Sequence, residues 1–398
     1  MTPEHDHTEP ETYRDLVRRR NRKRRAGRRV IALVFVTAGA ILALVFWISQ
    51  VMISPPRSRV SESARSVIGL VLRESRAGAE IVEAVPPAST AGLRRGDHIV
   101  RVDGEPIGSA QQLRSLIESC EAGWTLQIEA RRPEGMVLVD VVVEVRTVSP
   151  GDLGLEFQEV AFTDPRGLML RAWYVPPPAS ATRSPGIAFG HGNAADRRHW
   201  LDSARQFHDA GFAQVLLDFS GRGESQGEVI TLGAREAGDL TAALEYLSGR
   251  SEIDDARLFL VGRSMGAAAA ALAAAEGAPV RALVLDSPYA DLGRLADEAL
   301  ARALPPAVFL RPLAFRLAGW RTGFDPNRVR PIDALRATSV PVLILHGTDD
   351  DVVSIEHSRD LAAAAAGPAR LVTLPGQGHN DPRDSEVIAT IIDFLRSS

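Results

Sequence analysis

The chain has 398 residues, 45% hydrophobic and 24% charged, long enough for more than one packed core. Its 50 acidic residues against 46 basic ones give a net charge of −4, which excludes nucleic-acid binding driven by overall charge. The single cysteine, Cys120, excludes an intrachain disulfide and has packing as its default role.

Residues 1–29 read as a disordered basic tail, dense in arginine from Arg18 to Arg29. His5-Asp6-His7 within it is too short and polar a segment to expect a metal there. Residues 30–53 follow as an uncharged apolar run of about the length a helix needs to cross a bilayer. The basic flank places the N-terminus in the cytoplasm and everything after Ile53 on the other side. No Ala-x-Ala site follows, so the run is expected to be an uncleaved signal anchor of a single-pass membrane protein. Topology and headgroup contact account for the basic charges without nucleic acid.

Residues 61–147 form a second, β-rich unit. Its signals are Ile68-Gly69-Leu70-Val71, the stretch Gly92-Leu93-Arg94-Arg95-Gly96-Asp97, and an amphipathic segment over 110–120. These stretches resemble a PDZ domain of the kind found in exported bacterial proteases. The resemblance implies that a peptide C-terminus adds as a strand beside Ile68, Gly69 and Leu70, its carboxylate held by backbone N–H groups of the loop. A plain spacer with a blocked groove is the alternative, because a fold does not establish a ligand. Ser149-Pro150-Gly151 then marks a short hinge.

From 153 to 398, apolar runs alternate with helical patterns, predicting a doubly wound α/β unit with a mostly parallel sheet. One run, 186–189, ends in Gly190-His191-Gly192-Asn193, a loop whose backbone N–H groups can face an oxyanion; His191 itself reads as a brace for that loop. Another, 258–261, enters Gly262-Arg263-Ser264-Met265-Gly266, and small residues leave it. Strand, sharp turn and helix in that order make a nucleophile elbow, where flanking glycines avoid a Cβ collision with nearby backbone. Residues 291–330 interrupt the sheet pattern and are expected to form a small helical cap, with Phe309, Phe315 and Trp320 lining a pocket or forming the cap's own core.

Three consecutive aspartates, Asp349, Asp350 and Asp351, follow the run 342–345, and His379 sits in a glycine-rich loop before the last helix. The chain order is serine, aspartate, histidine. Spacing from His346-Gly347 favours Asp350 as the acid, with Asp286 the runner-up. Together with Asp218-Phe219-Ser220-Gly221-Arg222-Gly223-Glu224-Ser225 and Asp286-Ser287-Pro288-Tyr289, these motifs resemble α/β-hydrolase-fold serine hydrolases of the esterase, lipase and depalmitoylase group. The resemblance covers residues 153–398. It implies Ser264 as nucleophile, His379 as general base, Asp350 as its orienting acid, and oxyanion N–H groups at Asn193 and Met265. It also implies no metal and no organic cofactor. The expected function is cleavage of a carboxylic ester or thioester, and the membrane span suits a lipid or an acylated protein as substrate. A peptidase fed by the PDZ unit and a non-catalytic scaffold are the alternatives.

Overall fold

The structure is a computed structural model. It describes residues 43–46, 49, 65–75, 78–84, 87–120, 123–146, 149–179, 183–193, 195–303 and 305–398. The basic tail over 1–29 and most of 30–53 lie outside these residues.

The N-terminal unit comprises β1 (Arg65–Val67), β2 (Leu70–Ser75), β3 (Gly78–Ala84), β4 (His98–Val102), β5 (Glu105–Pro106), α1 (Ala110–Ser119), β6 (Thr125–Arg132), β7 (Gly135–Val142) and β8 (Glu144–Arg146). Strands β2-β3-β4-β6-β7 form one sheet, and β1 pairs with β8. Ser109 caps α1 by accepting the Gln112 N–H, and the helix buries Ala110, Leu113 and Ile117 against Leu72, Ile81 and Ile128. Asp97 is buried and accepts two hydrogen bonds from Arg132, each 2.7 Å. Cys120 packs at the edge of this core, its thiol directed to the Leu116 carbonyl.

The second unit comprises β9 (Gln158–Thr163), β10 (Met169–Val175), β11 (Ser184–Gly190), α2 (Leu201–Asp209), β12 (Ala213–Leu217), α3 (Glu236–Ser248), β13 (Ile253–Arg263), α4 (Met265–Ala275), β14 (Ala282–Asp286), α5 (Leu292–Ala303), α6 (Arg311–Thr322), α7 (Pro331–Ala337), β15 (Val342–Gly347), α8 (Ile355–Ala364), β16 (Ala369–Leu374) and α9 (Ser385–Ser397). The sheet order is β16-β15-β14-β13-β11-β12-β10-β9. Strands β11 to β16 run parallel, while β9 and β10 add an antiparallel edge. One apolar cluster packs α3, α4 and α7 on one face, and another packs α2 and α9 on the other. Central strands buried on both faces explain the unbroken apolar runs of the sequence.

Strand β11 lies between β12 and β13, so the strand order reverses beside it. Ligands bind at such a switch point, outside the carboxyl ends of the strands. The pairing of Gly190 with Gly262 brings the two glycine-rich loops side by side there.

Residues 291–330 are helical, through α5, α6 and two 3-10 turns. Phe315 is buried against Tyr289 and Val353, whereas Phe309 and Trp320 are 71% and 84% exposed. The aromatic residues of this segment are therefore divided, Phe315 and the partly buried Phe324 inward and Phe309 and Trp320 outward.

The expected single-pass anchor with extracytoplasmic domains is corrected by the structure: among the described residues no helix is long and apolar enough to cross a membrane. Of 30–53, only 43–46 and 49 are described; they are helical and meet protein. Val45 is buried with Ala307, Leu310 and Ala314, Phe46 lies under the Arg321 guanidinium, and Ser49 accepts from Arg321. An apolar run satisfies its surface equally well against protein, so length and hydropathy alone do not distinguish the two.

Candidate active site

The elbow is built by close backbone approach. Ser264 has φ 53° and ψ −113°, a conformation rare for a residue with a side chain, and α4 starts immediately after it. A Cβ on Gly262 would lie 2.2 Å from the Gly266 carbonyl oxygen, and one on Gly266 would lie 2.3 Å from that of Gly190. Both contacts are with backbone, which cannot swing away. Gly262→Ala should therefore cost more than about 4 kcal/mol of stability, read as the loss of denaturant midpoint. A Gly262→Ala protein as stable as wild type would contradict this packing.

Ser264, His379 and Asp350 are brought together from three strand ends. His379 Nε2 lies 3.0 Å from Ser264 Oγ, and His379 Nδ1 lies 2.7 Å from Asp350 Oδ2. The other Asp350 oxygen accepts the backbone N–H groups of Val352 and Val353 at 2.9 and 2.8 Å. Its carboxylate is 1% exposed. Burial pushes the Asp350 pKa up, but the hydrogen bond and charge of His379 outweigh it and hold the group below the usual carboxylate range. Asp349 and Asp351 are exposed, and Asp349 accepts only from the Thr348 hydroxyl among the side chains near it.

Behind the acid stands His346. Its Nε2 faces the Val353 carbonyl at 2.9 Å and lies 3.4 Å from Asp350 Oδ2, and its Nδ1 is 2.6 Å from Ser358 Oγ. Burial lowers its pKa, so the ring is neutral; facing a carbonyl, Nε2 carries the proton and Nδ1 accepts from the serine.

Asp286, the runner-up acid, is turned elsewhere. It is fully buried and receives Arg383 in a two-pronged pair, 2.7 Å to Oδ1 and 2.9 Å to Oδ2, with Arg263 Nε 3.6 Å away. Burial alone would raise its pKa, but Arg383 and Arg263 overcome this and bring it down to about 2. Its backbone carbonyl accepts the Ser264 N–H at 2.8 Å.

Arg263, the residue before Ser264, carries a bridge that its motif does not announce. Its guanidinium donates to the backbone carbonyls of His379 and Asp381, tying the elbow directly to the histidine loop. Burial lowers its pKa to about 10, so it stays charged at neutral pH. The only sequence signal was a charged residue ending an otherwise apolar run.

The loop after β11 lies against the elbow: a Cβ on Gly192 would be 3.9 Å from Ser264 Cβ. His191 is buried, its Nδ1 meeting the Gly192 carbonyl at 2.7 Å and its Nε2 accepting the Phe219 N–H at 3.1 Å. Burial holds its pKa down to about 4, and the neutral ring braces the loop. Asn193 Oδ1 accepts from Arg222 at 2.7 Å. Met265 is the first residue of α4, where a backbone N–H has no intrahelical acceptor and meets the positive end of the helix dipole. Among the described residues no group of histidine, cysteine or acidic side chains could hold a metal ion.

In the N-terminal unit, Ile68 is buried in the core and its carbonyl accepts the Ala88 N–H. Gly69 has φ 75° and Leu70 opens β2. Thus Gly69 and Leu70 lie at the head of an edge strand, while the Ile68 side chain belongs to the core.

An eight-stranded mixed α/β sheet with a strand–turn–helix elbow at its switch point defines an α/β-hydrolase fold. Residues 187–390 match the model of the alpha/beta hydrolase family, and residues 66–143 match that of the PDZ domain. The chain belongs to the alpha/beta hydrolase family. It is 35% identical over 216 residues to uncharacterized protein Rv2307c of Mycobacterium tuberculosis, an alignment covering 54% of this chain and 70% of that one. It is 29% identical to the alpha/beta hydrolase domain-containing protein WAV2 of Arabidopsis thaliana, covering 59% and 76%. Among solved structures it resembles the Pyrococcus furiosus esterase Pf2001, with a TM-score of 0.52, 21% identity, and 64% of this chain and 95% of that one covered. That likeness concerns the fold.

Proposed function

We propose that the chain is a serine hydrolase that cleaves carboxylic esters or thioesters through an acyl-enzyme. The observation that carries this reading is the hydrogen-bonded row from Asp350 through His379 to Ser264 at the carboxyl ends of the strands. A serine hydroxyl is a weak nucleophile until a base takes its proton. As Ser264 Oγ attacks the acyl carbon, His379 Nε2 accepts that proton, and Asp350 stabilises the imidazolium and fixes the tautomer. The tetrahedral oxyanion is held by the N–H groups of Met265 and Asn193, preorganised donors worth on the order of 3 kcal/mol each. His379 then protonates the leaving alcohol or thiol. Water, activated by the same imidazole, releases the acid and restores Ser264.

The PDZ unit supplies a second role in this reading, capture of a peptide C-terminus along the open edge of β2. Lipid substrates were suggested by nearness to a bilayer, and that support goes with the anchor.

The test compares p-nitrophenyl acyl esters and acyl thioesters with unblocked peptides on the full chain. Ester or thioester turnover without peptide cleavage is the expected result, and peptide cleavage without ester turnover would overturn it. Asp350→Asn should lower kcat about 10⁴-fold with KM little changed, because the amide holds the imidazole in the wrong tautomer. Unchanged kcat in that variant would reassign the acid.

A further inference from the structure

The open edge of β2 is already occupied by a side chain of the same unit. Ile81, the partner of Leu72 in β3, gives its N–H to the Asp97 carbonyl and accepts the Gly96 N–H on its own carbonyl. Both polar groups of Ile81 therefore point away from β2. Leu72 and Ile81 form a pair without mutual hydrogen bonds, and the Leu72 N–H and C=O face the free edge of the sheet. Strand β2 is the terminal strand of that sheet, so this carbonyl is one an added strand would use.

Arg114, on the second turn of α1, reaches across to that carbonyl, with Nη2 2.6 Å from Leu72 O. At the far end of the same groove, the Glu74 carboxylate accepts the Ala110 and Gln111 N–H groups, at 3.0 and 2.9 Å. The strand and the helix are thus fastened at two points. The two fastenings differ in charge. The Glu74 charge is met by the first N–H groups of the helix. Arg114 is only half-buried, and at this point it meets a neutral carbonyl. The neighbouring cation, Arg73, is taken by Glu80.

A peptide strand entering the groove must give its own N–H to Leu72 O and so displace the guanidinium. A displaced cation beside a half-buried groove gains most from an anion that arrives with the displacing strand. We infer that Arg114 is the specificity residue of the PDZ groove, capping the Leu72 carbonyl when the groove is empty and pairing with an acidic side chain of the bound peptide. The partner is a chain whose C-terminal segment carries Asp or Glu close before its last, apolar residue. This rests on the proposal that the unit captures peptide C-termini, and goes beyond it in naming the class of peptide.

The experiment measures fluorescence anisotropy of labelled peptides against the full chain. Each peptide ends in an apolar residue, with Glu or Gln placed in turn at each of the preceding positions. At one position Glu should bind about tenfold more tightly than Gln, as expected for a charge-assisted contact in a partly buried groove, and raised salt should shrink the ratio. In Arg114→Gln the Glu and Gln peptides should bind alike, with the Gln peptide at least as tight as to wild type. Equal binding of both peptides to wild type, or a Glu preference that survives Arg114→Gln, would overturn the assignment while leaving peptide capture intact. Absence of binding by every peptide to both proteins would overturn peptide capture itself, and the assignment with it.

Discussion

Ser264→Ala should remove ester turnover by about 10⁵-fold while leaving the fold and the thermal midpoint close to wild type. The expectation follows from how little Ser264 does for the fold. Its backbone bears the strain of φ 53°, and its hydroxyl contacts His379 at the site. Its N–H bond to the Asp286 carbonyl belongs to the main chain and survives the substitution. Residual rate would come from oxyanion donors acting on a water molecule. An alanine variant that retained even a tenth of the turnover would place the nucleophile elsewhere.

Asp286→Asn should give the opposite signature, a large loss of stability, with the loss of activity following from it. The carboxylate neutralises two buried guanidinium groups, Arg383 and Arg263, and the amide would leave both without their nearest counter-charge. Breaking a buried pair in this way costs about 3–5 kcal/mol, readable as a shift in denaturant midpoint. The pH dependence has a definite sign. The folded pKa of Asp286, about 2, lies below its unfolded value near 3.8, so ionised Asp286 favours the folded state. That contribution, on the order of 2 kcal/mol, is fully present above about pH 4 and is lost as pH falls towards 2. Wild type should lose stability across that window by a step that Asp286→Asn lacks. Equal stability of the two proteins at neutral pH would show that the arginines are compensated by other groups.

These two aspartates show what the sequence could and could not tell. Both follow runs of buried β residues, Asp286 as the last residue of its strand and Asp350 three residues past the end of β15. The difference lies in which direction each carboxylate faces: Asp350 towards His379, Asp286 towards Arg383, 97 residues away in the chain. No local pattern encodes that choice; the spacing from His346 pointed to Asp350, the aspartate whose carboxylate meets His379.

The elbow was readable because its chemistry is local. Gly262 and Gly266 are required by contacts of 2.2 and 2.3 Å, and a glycine in such a place leaves a visible motif. Arg263 left none, because its acceptors are main-chain carbonyls of His379 and Asp381, available whatever residues stand there. Strand β9 is hard to read for another reason: its largely exposed positions on a sheet edge give only a weak apolar alternation. The apolar run over 30–53 misled for a related reason, since within its described part Val45 packs against Ala307, Leu310 and Ala314.

The most direct test of the proposed chemistry is intact and peptide-level mass spectrometry of the full chain after treatment with a fluorophosphonate. One stoichiometric phosphonyl adduct, carried by Ser264, is expected, and none in His379→Ala, where no base activates the hydroxyl. An adduct on another residue, or a folded protein that takes up none, would contradict it.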